Sequence, residues 1–246
     1  MPKTLILIPS RMSATRLPGK PLLKINNLSI ISHVVNKAKK TGIGRVVVCT
    51  EDQSILKDVI ENGGEAILTG NHHKSGTDRI FEAYKKLDIK NVDYILNLQG
   101  DEPALDEKDI INLNNMMIKN NSNIGTLGAE INDHKIFSNE NIVKVKAKEK
   151  LNNIDSSLAQ TFKRNYTLKE GENIYHHIGI YAYKIKTLEK FINLSQTKNE
   201  IENRLEQLRA LDNNLKIDVT LAKSSPIGID TKEDYLALKK IMEYKS

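Results

Sequence analysis

Apolar residues recur in two rhythms along this chain. Short unbroken runs, Leu5-Ile6-Leu7-Ile8, Val46-Val47-Val48-Cys49 and the stretch from Tyr94 to Leu98, read as strands covered on both faces. Ile30, Ile31, Val34, Val35 and Ala38 are spaced for one face of a helix. The pattern predicts strands at 4–8, 45–50, 65–69, 93–98, 123–131, 141–148, 176–185 and 216–222. It predicts helices near 29–41, 53–62, 77–87, 107–119, 187–194, 199–212 and 232–244. The early alternation of strand and helix, about every thirty residues, is the rhythm of a mostly parallel α/β sheet. Between about 141 and 185 it gives way to strands and polar loops, which predicts a β-rich insertion or arm. With no linker, repeat or low-complexity tract, residues 1–246 are expected to form a single domain carrying that arm.

The loop after the first strand interrupts the pattern most sharply. Residues 8–22 hold three cations (Arg11, Arg16, Lys20), three prolines (Pro9, Pro18, Pro21) and Gly19. Prolines restrict the unfolded chain, so a fixed loop shape costs less to hold. Fixing three like charges together points to a polyanion among them, and the carboxyl end of a parallel strand is where open α/β sheets bind ligands. The loop is therefore expected to grip phosphates. It is not a Walker A loop, because Ala14 and Pro21 stand where Gly and Ser or Thr are needed, and no Gly-x-Gly-x-x-Gly follows the strand. The grip must come from side chains, with Arg forking onto phosphate oxygens and Lys acting as a point charge.

Composition narrows the classes further. The 246 residues are 39% apolar with a net charge of +6, but the lysines are scattered and no basic stripe interleaves with aromatics. Nucleic acid is not expected as a partner, and anionic metabolites account for the balance. Cys49 is the only cysteine and lies in an apolar run, so it reads as a core thiol in a reducing compartment. No apolar run approaches the ~18 residues that span a bilayer, and no signal-peptide core is seen. No membrane association and a cytoplasmic location are expected.

Two carboxylates stand out. Gln99-Gly100-Asp101-Glu102-Pro103 ends the fourth parallel strand, leaving Asp101 and Glu102 at the edge that feeds the phosphate loop. Asp101 or Glu102 can there face phosphates through Mg²⁺, which favours one or two carboxylates plus phosphate oxygens. Asp230, in Ile227-Gly228-Ile229-Asp230-Thr231, is either a helix cap or the second carboxylate of the same metal site. Ser75-Gly76-Thr77-Asp78-Arg79 opens a helix and suits either capping or a close approach to a base or ribose. His177, Gly179 and Tyr181 share one face of a strand, and Glu206-Gln207-Leu208-Arg209 breaks up the Leu205, Leu208 and Leu211 face of a helix.

In this order the motifs resemble the 3-deoxy-manno-octulosonate (Kdo) cytidylyltransferases essentially end to end: Ile8 to Leu22, Ser75 to Arg79, Asn97 to Pro103, His177 to Tyr181, Glu206 to Arg209 and Gly228 to Asp234. The resemblance implies a Rossmann-like nucleotide-diphospho-sugar transferase fold, usually dimeric. The implied reaction is CTP + Kdo → CMP-Kdo + pyrophosphate, feeding lipopolysaccharide synthesis. It implies that Arg11, Arg16 and Lys20 bind the triphosphate, that Ser75, Gly76 and Arg79 surround the cytidine, and that Asp101 and Asp230 hold Mg²⁺. Gln99, His177, Tyr181, Glu206 and Gln207 would line the sugar site, and Arg11, Lys20, Asp101 and Asp230 would carry the chemistry. One departure bears on the sugar: the family's Phe-Ser-Arg stretch is not matched, and Leu158 stands near its Arg position. The same chemistry on a modified ulosonic acid such as 8-amino-Kdo, or on another acidic sugar, is the alternative. A glycosyltransferase would be expected to show Asp-x-Asp where this chain has Gly-Asp-Glu-Pro.

Overall fold

The first apolar run forms β1 (Thr4–Ser10), in which Leu5 to Ile8 are at most 2% exposed. The computed structural model describes residues 3–13, 17–225 and 228–244. After β1 come a 3-10 turn at Lys20–Leu22 and a small hairpin, β2 (Lys24–Ile25) and β3 (Leu28–Ser29). Asn26 and Asn27 take positive φ (49° and 62°) at its two central positions, a conformation Asn tolerates and two-residue hairpins demand. α1 (Ile30–Lys40) follows, capped by Ser29, whose hydroxyl accepts from Ser32 N–H, and buries the apolar face read from its spacing.

β4 (Val46–Thr50), α2 (Gln53–Glu61), β5 (Ala66–Leu68), α3 (Gly76–Leu87), β6 (Tyr94–Asn97) and α4 (Glu107–Lys119) continue the alternation. β5, β4, β1 and β6 lie side by side in that order, all parallel, with Ile6 opposite Val46 on one side and Leu96 on the other. Every strand therefore delivers its following loop to the same carboxyl edge: Arg11 from β1, Glu51 from β4 and Gln99 to Asp101 from β6.

The chain divides into two compact units, Met1–Ile110 with Pro226–Ser246, and Ile111–Ser225. The second contains β7 (Ile124–Ala129), β8 (Lys144–Ala147), β9 (Ser157–Lys163), β10 (Asn173–Lys184), α5 (Ile185–Ile192), α6 (Lys198–Asn203), α7 (Gln207–Asp212) and β11 (Ile217–Ala222). Its strands run β10-β7-β11-β9-β8, and β8 pairs back to β10, so the five close on themselves. Closure rests on β10, whose start pairs with β8 while most of its remainder pairs with β7. The chain then returns to the first unit and ends in α8 (Lys232–Tyr244).

The structure departs from the sequence pattern at several points. β9 forms within a stretch expected to be loop. The β2–β3 hairpin is additional. The single helix expected at 199–212 is two, because Arg204 adopts a left-handed conformation (φ 53°) and Glu206 starts a new turn. No helix among the described residues is long and apolar enough to cross a membrane.

Candidate active site

Arg11, Lys20, Ser75, Gly76, Arg79, Gln99, Asp101 and Asp230, widely separated in sequence, line one cleft of about 360 Å³ in the first unit. Arg16 lies outside the described residues. The walls approach closely: a side chain at Gly100 would meet the Pro9 carbonyl at 3.0 Å, and one at Gly76 would meet the Pro9 ring at 3.1 Å.

Lys20 anchors the floor. It is only 9% exposed, and Gly19 reaches the left-handed φ of 70° that turns the chain into it. Its ammonium donates to Asp101 Oδ2 at 2.6 Å and to the Ile229 carbonyl at 2.5 Å, and stands 3.6 Å from Asp230 Oδ1. One cation thus spans both carboxylates singled out in the sequence. The Ile229 N–H donates to the Asp101 carbonyl at 3.2 Å, tying the two segments together through the backbone as well. Asp230 is not the helix cap. Thr231 Oγ1 accepts from Asp234 N–H at 3.1 Å, while the Asp234 carboxylate accepts from the N–H groups of Asp230 and Thr231, so the cap falls to the next residue.

Glu102 takes a different role from its neighbour. Its Oε2 is buried without a hydrogen-bond partner. Burial, reinforced by Asp101 and Asp230 and opposed by Lys20, pushes its carboxyl up to about 8. It is therefore neutral near pH 7, close to Asp101 and Asp230. Gly-Asp-Glu-Pro supplies both acids, but only the turn decides which faces the cleft.

The start of α3 is more structural than its motif suggests. Ser75 caps α3, its hydroxyl accepting from Asp78 N–H at 3.1 Å, while still lining the cleft. Arg79 is 3% exposed and clamps the wall: Nη1 donates to Thr69 Oγ1 at 2.7 Å and to the Gly70 carbonyl at 3.3 Å, and Nη2 is ion-paired with Glu51. Glu51 and Thr69 were not singled out in the sequence. No motif marks them, and their partnership with Arg79 exists only after strands β4 and β5 pair.

The remaining sugar-site candidates lie in the second unit. His177 Nε2 is 3.0 Å from Thr126 Oγ1 and 3.1 Å from Tyr181 Oη, with the Phe162 ring edge-on at 5.0 Å between centroids. Burial, with His176 adding to it, lowers the imidazole to about 3, so it is a neutral hydrogen-bond partner at physiological pH. Tyr181 is held well above the ordinary phenol range by burial first, then by Tyr183 and Glu206. His177, Tyr181 and Glu206 therefore share one neighbourhood, with half-buried Gln207 opening α7 beside Glu206. Arg209 of the same motif forks onto Glu200 at 2.8 and 2.5 Å above the Phe191 ring and stands 3.6 Å from Glu206 Oε1. Leu158 is on β9 opposite Asp218, and the Arg164 guanidinium donates to the carbonyls of Glu140, Asn203 and Arg204.

Comparison with known proteins identifies the family. A family model described as cytidylyltransferase matches residues 5–217. A 3-deoxy-manno-octulosonate cytidylyltransferase of Nitrobacter winogradskyi is 41% identical over 98% of this chain and 94% of its own. One of Bartonella tribocorum is 40% identical over 97% of this chain and 98% of its own. Among solved structures, a CMP:2-keto-3-deoxy-manno-octonic acid synthetase complexed with CTP superposes with a TM-score of 0.89 at 31% identity, covering 99% of this chain and 100% of that one.

Proposed function

The chain belongs to the cytidylyltransferase family, and from that premise we propose that it couples CTP to 3-deoxy-manno-octulosonate, giving CMP-Kdo and pyrophosphate. The observation that carries the chemistry is the reach of one buried ammonium, Lys20, to two carboxylates in a cleft of about 360 Å³. The observation that carries the sugar is near end-to-end similarity to relatives named for that acid.

In this reading Arg11, Arg16 and Lys20 collect the triphosphate, with Lys20 held where charge builds on the departing pyrophosphate. The sugar's anomeric 2-hydroxyl attacks the α-phosphorus. The new O–P bond forms as the bond to the bridging α,β-oxygen breaks, and the hydroxyl proton is released. Positioning and charge stabilisation supply most of the acceleration in such transfers. Neither His177, lowered to about 3, nor Glu102, raised to about 8, has the character of a base at neutral pH, so neither is assigned that task.

Asp101 and Asp230 are the residues that would hold Mg²⁺. Their donor set is oxygen only, and both carboxylates lie within 3.6 Å of one ammonium, so they suit a single hard cation. When bound, Mg²⁺ supplies Lewis-acid polarisation of the α-phosphoryl oxygen. The proposal extends to a homodimer acting in the cytoplasm and feeding lipopolysaccharide synthesis.

A second sugar is favoured by one observation. Leu158 stands near the position of the family's Arg that lies near the sugar, and the nearest later Arg, Arg164, is spread over three carbonyls. A modified ulosonic acid such as 8-amino-Kdo would be the substrate in that case. Pyrophosphate release measured side by side with Kdo, 8-amino-Kdo and sialic acid separates the two readings. Preference for Kdo supports the first, and preference for the amino acid form supports the second.

A further inference from the structure

The segment between β5 and α3 carries a cluster that the nucleotide chemistry does not use. His72, His73 and Glu82 each offer one ligand atom, and these atoms lie within 4.8 Å of one another. Glu82 reaches back from the second turn of α3, and its carboxylate accepts from Gly70 N–H at 3.2 and 3.0 Å, while Oε2 also meets His73 Nε2 in a short contact. The loop is shaped around the other histidine. The exposed His72 ring lies directly over Gly70, where a side chain would meet it at 2.5 Å. The His72 and His73 rings are 4.4 Å apart between centroids.

We infer that His72, His73 and Glu82 form a binding site for a borderline-soft divalent cation of the zinc or cobalt class, separate from the carboxylate pair Asp101 and Asp230. Two imidazoles and one carboxylate are a donor set that such ions take, leaving further positions to water. The oxygen-only pair in the cleft suits a hard ion instead. Gly70 N–H fixes the carboxylate from outside the cluster, as second-layer bonds do in metal sites. Lys86 is the competitor: its ammonium sits 2.6 Å from Glu82 Oε1 and donates to the Leu68 carbonyl at 3.0 Å, on a side chain that is 49% exposed. His73, Lys74 and Ser75 line the nucleotide cleft, so a cation here would brace one of its walls from behind.

The test uses the full chain, stripped of metal with a chelator and held in excess Mg²⁺, with Co²⁺ alone as the probe. Visible absorption reports low-coordinate nitrogen-containing sites, and Zn²⁺ competition reports affinity. One equivalent of Co²⁺ is expected to bind with an intense band and to be displaced by Zn²⁺. His72→Ala, an exposed position, and Glu82→Gln should each weaken uptake by at least about tenfold, the loss typical even of a supporting partner. Lys86→Ala should tighten it, and Asp101→Asn should leave it unchanged. Melting curves confirm that each variant is folded. Undiminished uptake in folded His72→Ala, a signal abolished by Asp101→Asn, or no uptake by the wild type at millimolar cation would overturn the assignment.

Discussion

Lys20 Nζ stands 2.6 Å from Asp101 Oδ2 in a cleft where the lysine itself is nearly buried. The same ammonium is held by the Ile229 carbonyl, so its position is set from two segments more than a hundred residues apart. Such a charge is oriented before substrate arrives, which makes it effective against charge that develops during reaction. Lys20→Met should therefore lower kcat by roughly 10²–10³-fold, the usual cost of removing one oriented donor. Steady-state kinetics with CTP and Kdo check this, and a change confined to KM would place Lys20 in ground-state binding instead.

Asp101 and Glu102 are adjacent acids in different surroundings, and the burial of Glu102 is measurable. Glu102 keeps its proton in the fold up to about pH 8, whereas an unfolded glutamate releases it near 4.5. The folded state binds more protons between those values, so stability falls as pH rises from 4.5 through 8. Glu102→Gln should remove that slope, worth on the order of a few kcal/mol at its alkaline end. Near pH 7 the same variant should keep far more activity than Asp101→Asn. Urea melts across pH on metal-free protein, with turnover of both variants, test the pair.

Arg79, 4% exposed, is ion-paired with Glu51, 20% exposed, in the wall of the cleft. Removing one partner of such a pair strands the other. Arg79→Ala should cost about 3–5 kcal/mol. At this chain length that corresponds to a fall in Tm of about 10 °C. Glu51→Gln keeps an acceptor for Nη2 and should cost distinctly less. Scanning calorimetry of both variants gives the comparison, and equal, small losses would mean the clamp is not built as described.

His177 and His176 are held at about 3 and 4, against 6.5 for a free imidazole. The unfolded chain takes up these protons first as pH falls, so their contribution is present above 6.5 and is lost progressively toward 3. His177→Gln should flatten the acid limb of the stability profile while keeping a hydrogen-bonding group beside Tyr181. An unchanged acid limb would mean the imidazole is not buried neutral.

Local chemistry made much of this molecule readable. β1, β4 and β6 announced themselves as unbroken apolar runs, and the loop after β1 as a stiff cluster of cations. Asn26-Asn27 was a hairpin signal in plain sight, hidden only because its strands are two residues each. What escaped depends on distant partners. β9 has no strong period of its own and becomes a strand by pairing with β8 and β11. Arg204 turns left-handed without a Gly or Pro to mark it. Glu51 acquires meaning only when β4 is set beside β5 and α3 brings Arg79 across, and Glu102 only when its turn buries it behind Asp101.

The account's central claim is tested most directly by ³¹P NMR of CTP, Kdo and Mg²⁺ with the wild-type protein and with Asp101→Asn. The account predicts that the α-phosphorus signal moves to a phosphodiester as an equal amount of pyrophosphate appears, only when the sugar acid is present, and that Asp101→Asn slows this severely. Release of pyrophosphate independent of any sugar acid, or wild-type turnover by Asp101→Asn at saturating Mg²⁺, would contradict it.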